Sequence, residues 1–210
     1  MVGLEERYCQ ARDTQDYIKY YLKYLSEILE LIDVTVIEKI ISTLIEAAKR
    51  NSTIFLLGNG GSATTASHMA NDLGVDVWTP THPSFRAVSL TDNVAIMTAI
   101  ANDTNYSQLF VNQLRNFLLP NDVVVALSAS GNSKNVLEAV RFASGRGAII
   151  IGCSGFGGGE LKSMVDIHLN VPSLPGEYGP VEDVMMIMDH IIYSYLRFSR
   201  KGSLWRNDAQ

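Results

Sequence analysis

The chain has 210 residues, 47% of them hydrophobic and 19% charged, which is enough for one sizeable core and ordinary for a soluble globular protein. A net charge of −5 argues against a general nucleic-acid-binding surface, and no apolar stretch reaches the roughly 18 residues of a membrane span. The N-terminus (Met1-Val2-Gly3-Leu4-Glu5-Glu6-Arg7) carries no secretory pattern, and the two cysteines, Cys9 and Cys153, form no disulfide framework, so a cytoplasmic, reducing setting is expected.

Residues 8 to 50 read as two helices. Tyr17, Tyr20, Tyr21, Tyr24, Leu25, Ile28 and Leu29 recur at three- and four-residue spacing. After a plausible cap at Asp33, Val36, Ile37, Ile40, Ile41, Leu44 and Ile45 repeat the pattern. Both stripes need a partner, either the rest of the chain or a second subunit, and oligomerisation is the favoured reading. From Asn51 onward, β-rich runs at 53–57, 85–90, 123–127, 148–152 and 166–171 alternate with helical stretches at 62–74, 92–101, 106–118, 133–145 and 158–164. A long helix from Val181 to Phe198 closes the series. Strands alternating with helices predict an α/β fold, a doubly wound parallel sheet covered on both faces. The expected division is a helical arm over 1–50, an α/β domain over 51–200 and a polar tail over 201–210.

Two strand-to-helix junctions are rich in small residues: Gly58-Asn59-Gly60-Gly61-Ser62 and Ser128-Ala129-Ser130-Gly131-Asn132-Ser133. Such loops leave backbone N–H groups free at a helix N-terminus, and their serines add hydroxyl donors without bulk. Ordinary βα turns also favour Gly, Ser and Asn, but two such loops in one domain point to a phosphorylated small molecule held between them. In a parallel sheet both lie beyond the carboxyl ends of the strands, where ligands bind.

His68 and Asp72 stand at i, i+4 after the first loop, and Glu182 and His190 stand eight apart on the last helix. Two imidazoles and two carboxylates suit a zinc-like site or a general acid/base set. Spacing alone equally allows a satisfied core histidine and a solvated acid. His82 reads as a loop residue, His168 as a structural strand residue, and Cys153 as a small strand-end residue rather than a nucleophile. Lys134, in the first turn after the serine loop, is placed either to reach a phosphate or to face solvent, and the loop 154–159 is dense in glycine beside the site.

Taken together, Gly58-Asn59-Gly60-Gly61-Ser62 with His68 and Asp72, Asn102-Asp103, the Ser128–Ser133 loop, and Glu182-Asp183 with His190 resemble a sugar isomerase (SIS) domain of flavodoxin-like, five-stranded form. Within that superfamily the pattern is similar to the phosphoheptose isomerases. The resemblance implies interconversion of sedoheptulose 7-phosphate and a glycero-manno-heptose 7-phosphate through an enediolate, serving the heptose of a surface glycan. It implies that Asn59, Gly60 and Gly61 line the sugar site and that Asn102 and Asp103 contact sugar hydroxyls. Ser128, Ala129, Ser130 and Ser133 would hold the phosphate, and Glu182 would also face the substrate. His68, Asp72, Glu182 and His190 match the positions that bind one zinc per subunit, and Asp72 with His190 matches the acid/base pair. The family is typically a homotetramer with sites at subunit boundaries.

Three positions depart from the family pattern. Asp72 stands where Glu is familiar, Glu182 stands where many members carry Gln, and the segment Glu177-Tyr178-Gly179-Pro180 differs from the usual approach to the last helix. The added negative charge at Glu182 favours a metal. Two other functions fit the same fold: a non-catalytic SIS protein that binds a protein partner, as the DnaA initiator-associating protein does, and an isomerase of another sugar phosphate. The four usable groups at His68, Asp72, Glu182 and His190 favour an enzyme, and the Gly-Asn-Gly-Gly-Ser loop favours the heptose branch.

Overall fold

The computed structural model describes residues 2–200; the polar tail expected at 201–210 lies outside the described residues. Five parallel strands, β1 (Thr53–Gly58), β2 (Arg86–Ser89), β3 (Val123–Leu127), β4 (Ile149–Ser154) and β5 (Ile167–Asn170), form one sheet in the order β2-β1-β3-β4-β5. Residues of β1, β3 and β4 are buried on both faces, as runs such as Val123-Val124-Val125-Ala126-Leu127 require. The strands fall where the sequence pattern puts them, to within two residues at each end.

Alternation along the strands divides the core in two. Ile54 and Leu56 of β1 and Val123, Val125 and Leu127 of β3 face one layer of helices. That layer holds α2 (Thr14–Glu30), α3 (Val34–Lys49), α4 (Gly61–Asn71) and α8 (Tyr178–Arg200). Phe55, Leu57, Val124 and Ala126 face the other, which holds α6 (Val111–Phe117) and α7 (Lys134–Ser144). The N-terminal helices therefore bury Tyr24, Ile28, Ile40 and Leu44 against their own sheet and α8. Asp13 accepts a hydrogen bond from the Asp16 backbone N–H and Asp33 one from Thr35, capping α2 and α3.

Four local expectations change. A third short helix, α1 (Leu4–Gln10), precedes the pair, held by Arg7, which pairs with Glu27 at 2.5 Å and lies over the Tyr24 ring. The stretch 62–74 does not continue as one α-helix: α4 widens at Asp72–Asp76, where Val77 N–H reaches back five residues to the Asp72 carbonyl. The stretch 106–118 splits into one tight turn at Tyr106–Gln108 and α6. The stretch 158–164 yields only a tight turn at Leu161–Ser163, because Gly157, Gly158 and Gly159 all hold positive φ, which a right-handed helix excludes. α5 (Val94–Asp103) completes the set.

Asp122 ties the strand starts together. Its buried carboxylate accepts from Thr53 N at 2.7 Å and from Leu119 N at 2.8 Å, while its carbonyl accepts from Ile149 N. Asp122→Ala strands two inward-facing N–H groups, and urea unfolding should show a loss of about 2–6 kcal/mol, from roughly 1–3 kcal/mol for each unmade bond.

Candidate active site

β1 and β3 are neighbours, with Gly58 beside Leu127, so the loops that follow them lie side by side at the same sheet edge. α4 then leaves for one face and α7 for the other, which opens a crevice between the two helix N-termini. Gly60 holds φ of 55° and ψ of −127° ahead of α4, a conformation open to glycine. In the second loop, Ser128 Oγ donates to Ser133 Oγ at 3.2 Å, and Ser133 precedes α7 without spending its side chain on the helix cap. Gly131 at φ of 65° passes so close to the Gly158 carbonyl that no Cβ fits there, while Asn132 accepts from Glu160 N at 2.9 Å. The glycine-dense loop 154–159 is thus packed against the serine loop and supports it.

A side-chain pair joins the two loops. Asn59 Nδ2 donates to Asn135 Oδ1 at 2.9 Å, and Asn135 Nδ2 donates back to Asn59 Oδ1 at 2.8 Å. Tyr106 adds its hydroxyl to Asn59 Oδ1 at 2.9 Å. Asn135 is buried and Tyr106 follows α5, whose exposed end carries Asn102 and Asp103, joined to each other at 2.8 Å. Sequence reasoning passed over both Asn135 and Tyr106. A polar residue in the first turn of the amphipathic α7 was the available signal for Asn135.

Further along α4, His68 Nε2 lies 3.1 Å from His190 Nε2 of α8 and 3.5 Å from Asp72 Oδ2. Asp189 joins them, so that His68, Asp72, Asp189 and His190 each present a donor atom within 4.8 Å of the others. The imidazoles are exposed; Asp72 and Asp189 are only 4% and 2% exposed. Neither Asp189 oxygen has a hydrogen-bond partner, and burial, then the Asp72 charge, pushes this carboxyl up to about 8. Two nitrogen and two carboxylate donors form a group able to hold a metal ion. Donors bound tetrahedrally at 2.0–2.1 Å stand about 3.4 Å apart, close to the two separations just given. Glu182, expected among these ligands, is not in the group: its carboxylate lies against Gly61 at the start of α4, where a Cβ would collide with it. The cluster thus brings together three of the four expected metal residues and adds Asp189.

The remaining candidates are structural in their surroundings. Cys153 is buried and its thiol is pushed up to about 12 by desolvation, leaving no thiolate for chemistry. His168 meets Ser154 Oγ at 2.7 Å, with its pKa lowered by burial. His82 sits between the Thr79 and Thr81 hydroxyls at 3.0 Å each. Lys134 is exposed. A groove of about 710 Å³ lies away from all of these, lined by Gly3–Glu6, Tyr21 and Leu174–Pro180. Its acid Glu177 is already engaged by Leu4 N and the Tyr24 hydroxyl, and Asp183 beside it by Tyr21 at 2.5 Å, so it closes the N-terminal helices onto the sheet rather than offering reactive groups.

Comparison with known proteins agrees with this fold. The SIS-domain family matches residues 16–155, beginning inside α2. A phosphoheptose isomerase of Trichlorobacter lovleyi is 33% identical over 163 residues, 78% of this chain and 80% of that one. One of Geobacter metallireducens is 37% identical over 149 residues, 71% of this chain and 77% of that one. The solved phosphoheptose isomerase of Neisseria gonorrhoeae superposes with a TM-score of 0.79 at 27% identity, covering 88% of this chain and 98% of that one. The chain belongs to the SIS-domain family and, within it, to the phosphoheptose isomerases. No helix among the described residues is long and apolar enough to cross a membrane.

Gly131→Ala places a methyl group on the Gly158 carbonyl at a positive-φ position. The variant should lose phosphate-ester binding by at least about tenfold in calorimetric titration and unfold earlier, since such a backbone position costs about 1–3 kcal/mol for a non-glycine residue.

Proposed function

We propose that this protein interconverts sedoheptulose 7-phosphate and glycero-manno-heptose 7-phosphate in the cytoplasm, supplying the heptose of a surface glycan. The observation that carries the reading is the His68–Asp72–Asp189–His190 cluster on the α4/α8 pair that also holds the Asn59-Gly60-Gly61 loop, in a chain of this family. Ser128, Ala129, Ser130 and Ser133, with the positive end of α7, take the phosphate. That group is remote from the reacting carbons, so its binding energy orients them. Asn59, Gly60, Gly61, Asn102, Asp103 and Glu182 line the sugar.

Moving the carbonyl from C2 to C1 requires that a proton leave C1 and one return at C2 through an enediolate. His190, exposed at the mouth of the cluster, meets the sugar, and the Asp72 carboxylate behind it holds the proton between removal and return. His68, Asp72 and His190 are residues that would hold a zinc ion, which when bound supplies positive charge to stabilise the enediolate oxygens.

A homotetramer fits the exposed apolar surface. α5 buries none of its residues although Val94 and Ile96 are 67% and 41% exposed, and Ile191, Tyr195 and Phe198 form an exposed stripe on α8. Sedimentation should therefore give a tetramer, and Ile96→Asp should lower the assembly state.

Incubation of the purified protein with sedoheptulose 7-phosphate should produce aldose, and stripping of metal should abolish the reaction until zinc is restored. His190→Ala and Asp72→Asn should each lower kcat by about 100-fold or more. Ser130→Ala should instead raise KM by about tenfold or more, the cost of one hydrogen bond to a charged group at about 1.5–3 kcal/mol. Retained phosphosugar binding without turnover would sink the isomerase reading in favour of a binding role.

A further inference from the structure

The side-chain amides of Asn59 and Asn135 bond reciprocally. Such a pair has two equivalent settings, since turning both amides over exchanges every oxygen for a nitrogen. A backbone group breaks the tie. Val136 N–H, in the first turn of α7, finds no partner within its own helix and meets Asn135 Oδ1 at 3.0 Å. A backbone N–H can only donate, so the Asn135 atom it meets is oxygen. The other Asn135 atom is then nitrogen, the Asn59 atom facing it is oxygen, and the remaining Asn59 atom is nitrogen. The Tyr106 hydroxyl, able to donate or accept, therefore donates to Asn59 Oδ1. Asn59 Oδ1 has both lone pairs filled, and Nδ2 has one proton engaged by Asn135. One N–H is left, on a half-buried side chain at the seam, and among the described residues nothing takes it.

We propose that Asn135 and Tyr106 are positioning residues for the sugar: they fix the Asn59 amide so that it meets the substrate only as a donor, through one N–H directed at a hydroxyl or carbonyl oxygen. The inference rests on the isomerase reading for the identity of that sugar. Burial makes the arrangement firm. Asn135 is 2% exposed, and a polar side chain so placed keeps its partners; its bonds to Asn59 and to Val136 N–H supply them. Released from Asn135, the Asn59 amide would turn about a broad terminal torsion and present oxygen as readily as nitrogen. Setting one presentation before the ligand arrives removes that ordering penalty from binding. Tyr106 extends the arrangement to a third element. It stands three residues beyond Asp103, so its hydroxyl holds the exposed end of α5, which carries Asn102 and Asp103, to the sugar loop.

A double-mutant cycle tests these roles. Binding of sedoheptulose 7-phosphate and of inorganic phosphate is titrated for wild type, Asn59→Ala, Asn135→Ala, Tyr106→Phe and the two double variants that contain Asn59→Ala. Asn59→Ala and Asn135→Ala should each weaken sugar-phosphate binding about five- to tenfold, and Tyr106→Phe about threefold, as for neutral hydrogen bonds lost. Inorganic phosphate should change by less than about twofold, because the hydroxyls of the serine loop are untouched. In the Asn59→Ala background the second substitution should add less than about 1.5-fold, since Asn135 and Tyr106 act through Asn59. If Asn135→Ala fails to fold, the Tyr106→Phe cycle, at an exposed side chain, carries the same expectation. In nitrogen–proton spectra, one of the two Asn59 side-chain protons, assigned by its loss in Asn59→Ala, should shift on adding sedoheptulose 7-phosphate while the paired one holds. Unchanged sugar-phosphate affinity in the single variants, losses that multiply in the doubles, or an equal loss of inorganic phosphate overturns the inference. So does a wild type that binds phosphate but not the sugar phosphate. Coupling as described in a protein that binds sedoheptulose 7-phosphate without turning it over sinks the isomerase reading alone.

Discussion

The site depends on where the chain reverses its winding. β1 sends α4 to one face of the sheet and β3, its immediate neighbour, sends α7 to the other, so two helix N-termini part at one seam. The alternation of Ile54 and Leu56 against Phe55 and Leu57 enforces this, because each set must find its own helical layer. A one-residue slip of β1 would send each set into the wrong layer. The seam is then held by the paired amides of Asn59 and Asn135, which set the spacing of the two loops without a charge.

Electrostatics are arranged in two regions along α4. Near its start the Glu182 carboxylate lies against Gly61, at the positive end of the helix dipole. Two turns further on, two buried carboxylates stand behind two exposed imidazoles. His68 and Asp72 share a regular helical turn, and the helix widens directly beyond it, where Val77 N–H reaches back to the Asp72 carbonyl. Wide turns of this kind recur at functional sites, where they re-aim a side chain at the expense of regular hydrogen bonding.

Much of this was legible in the sequence. The strands announced themselves as short Val/Ile/Leu runs, and α2 and α3 as amphipathic repeats, the second with an identifiable cap at Asp33. α1 was not, since Leu4–Gln10 is polar and owes its place to Arg7 against Tyr24 and Glu27, a tertiary contact. The pitch change at Asp72 likewise has no local signature. Spacing and family resemblance together singled out His68, Asp72 and His190. Glu182, which the resemblance placed with them, has its carboxylate against Gly61 instead. Asp189 was visible as a charge inside an apolar stripe, and Asn135 only as a polar residue on a buried helix face; both acquire meaning from what lies across from them.

The central claim is that the two loops and the histidine cluster make one sugar-phosphate site. A crystal structure of the protein with sedoheptulose 7-phosphate bound tests it most directly. The account predicts the phosphate seated on Ser128–Ser133, the sugar running beside Asn59 and Gly60, and the C1–C2 end within hydrogen-bond reach of His190. Density for the sugar in the groove lined by Tyr21 and Leu174–Pro180, with the seam between β1 and β3 empty, would contradict it.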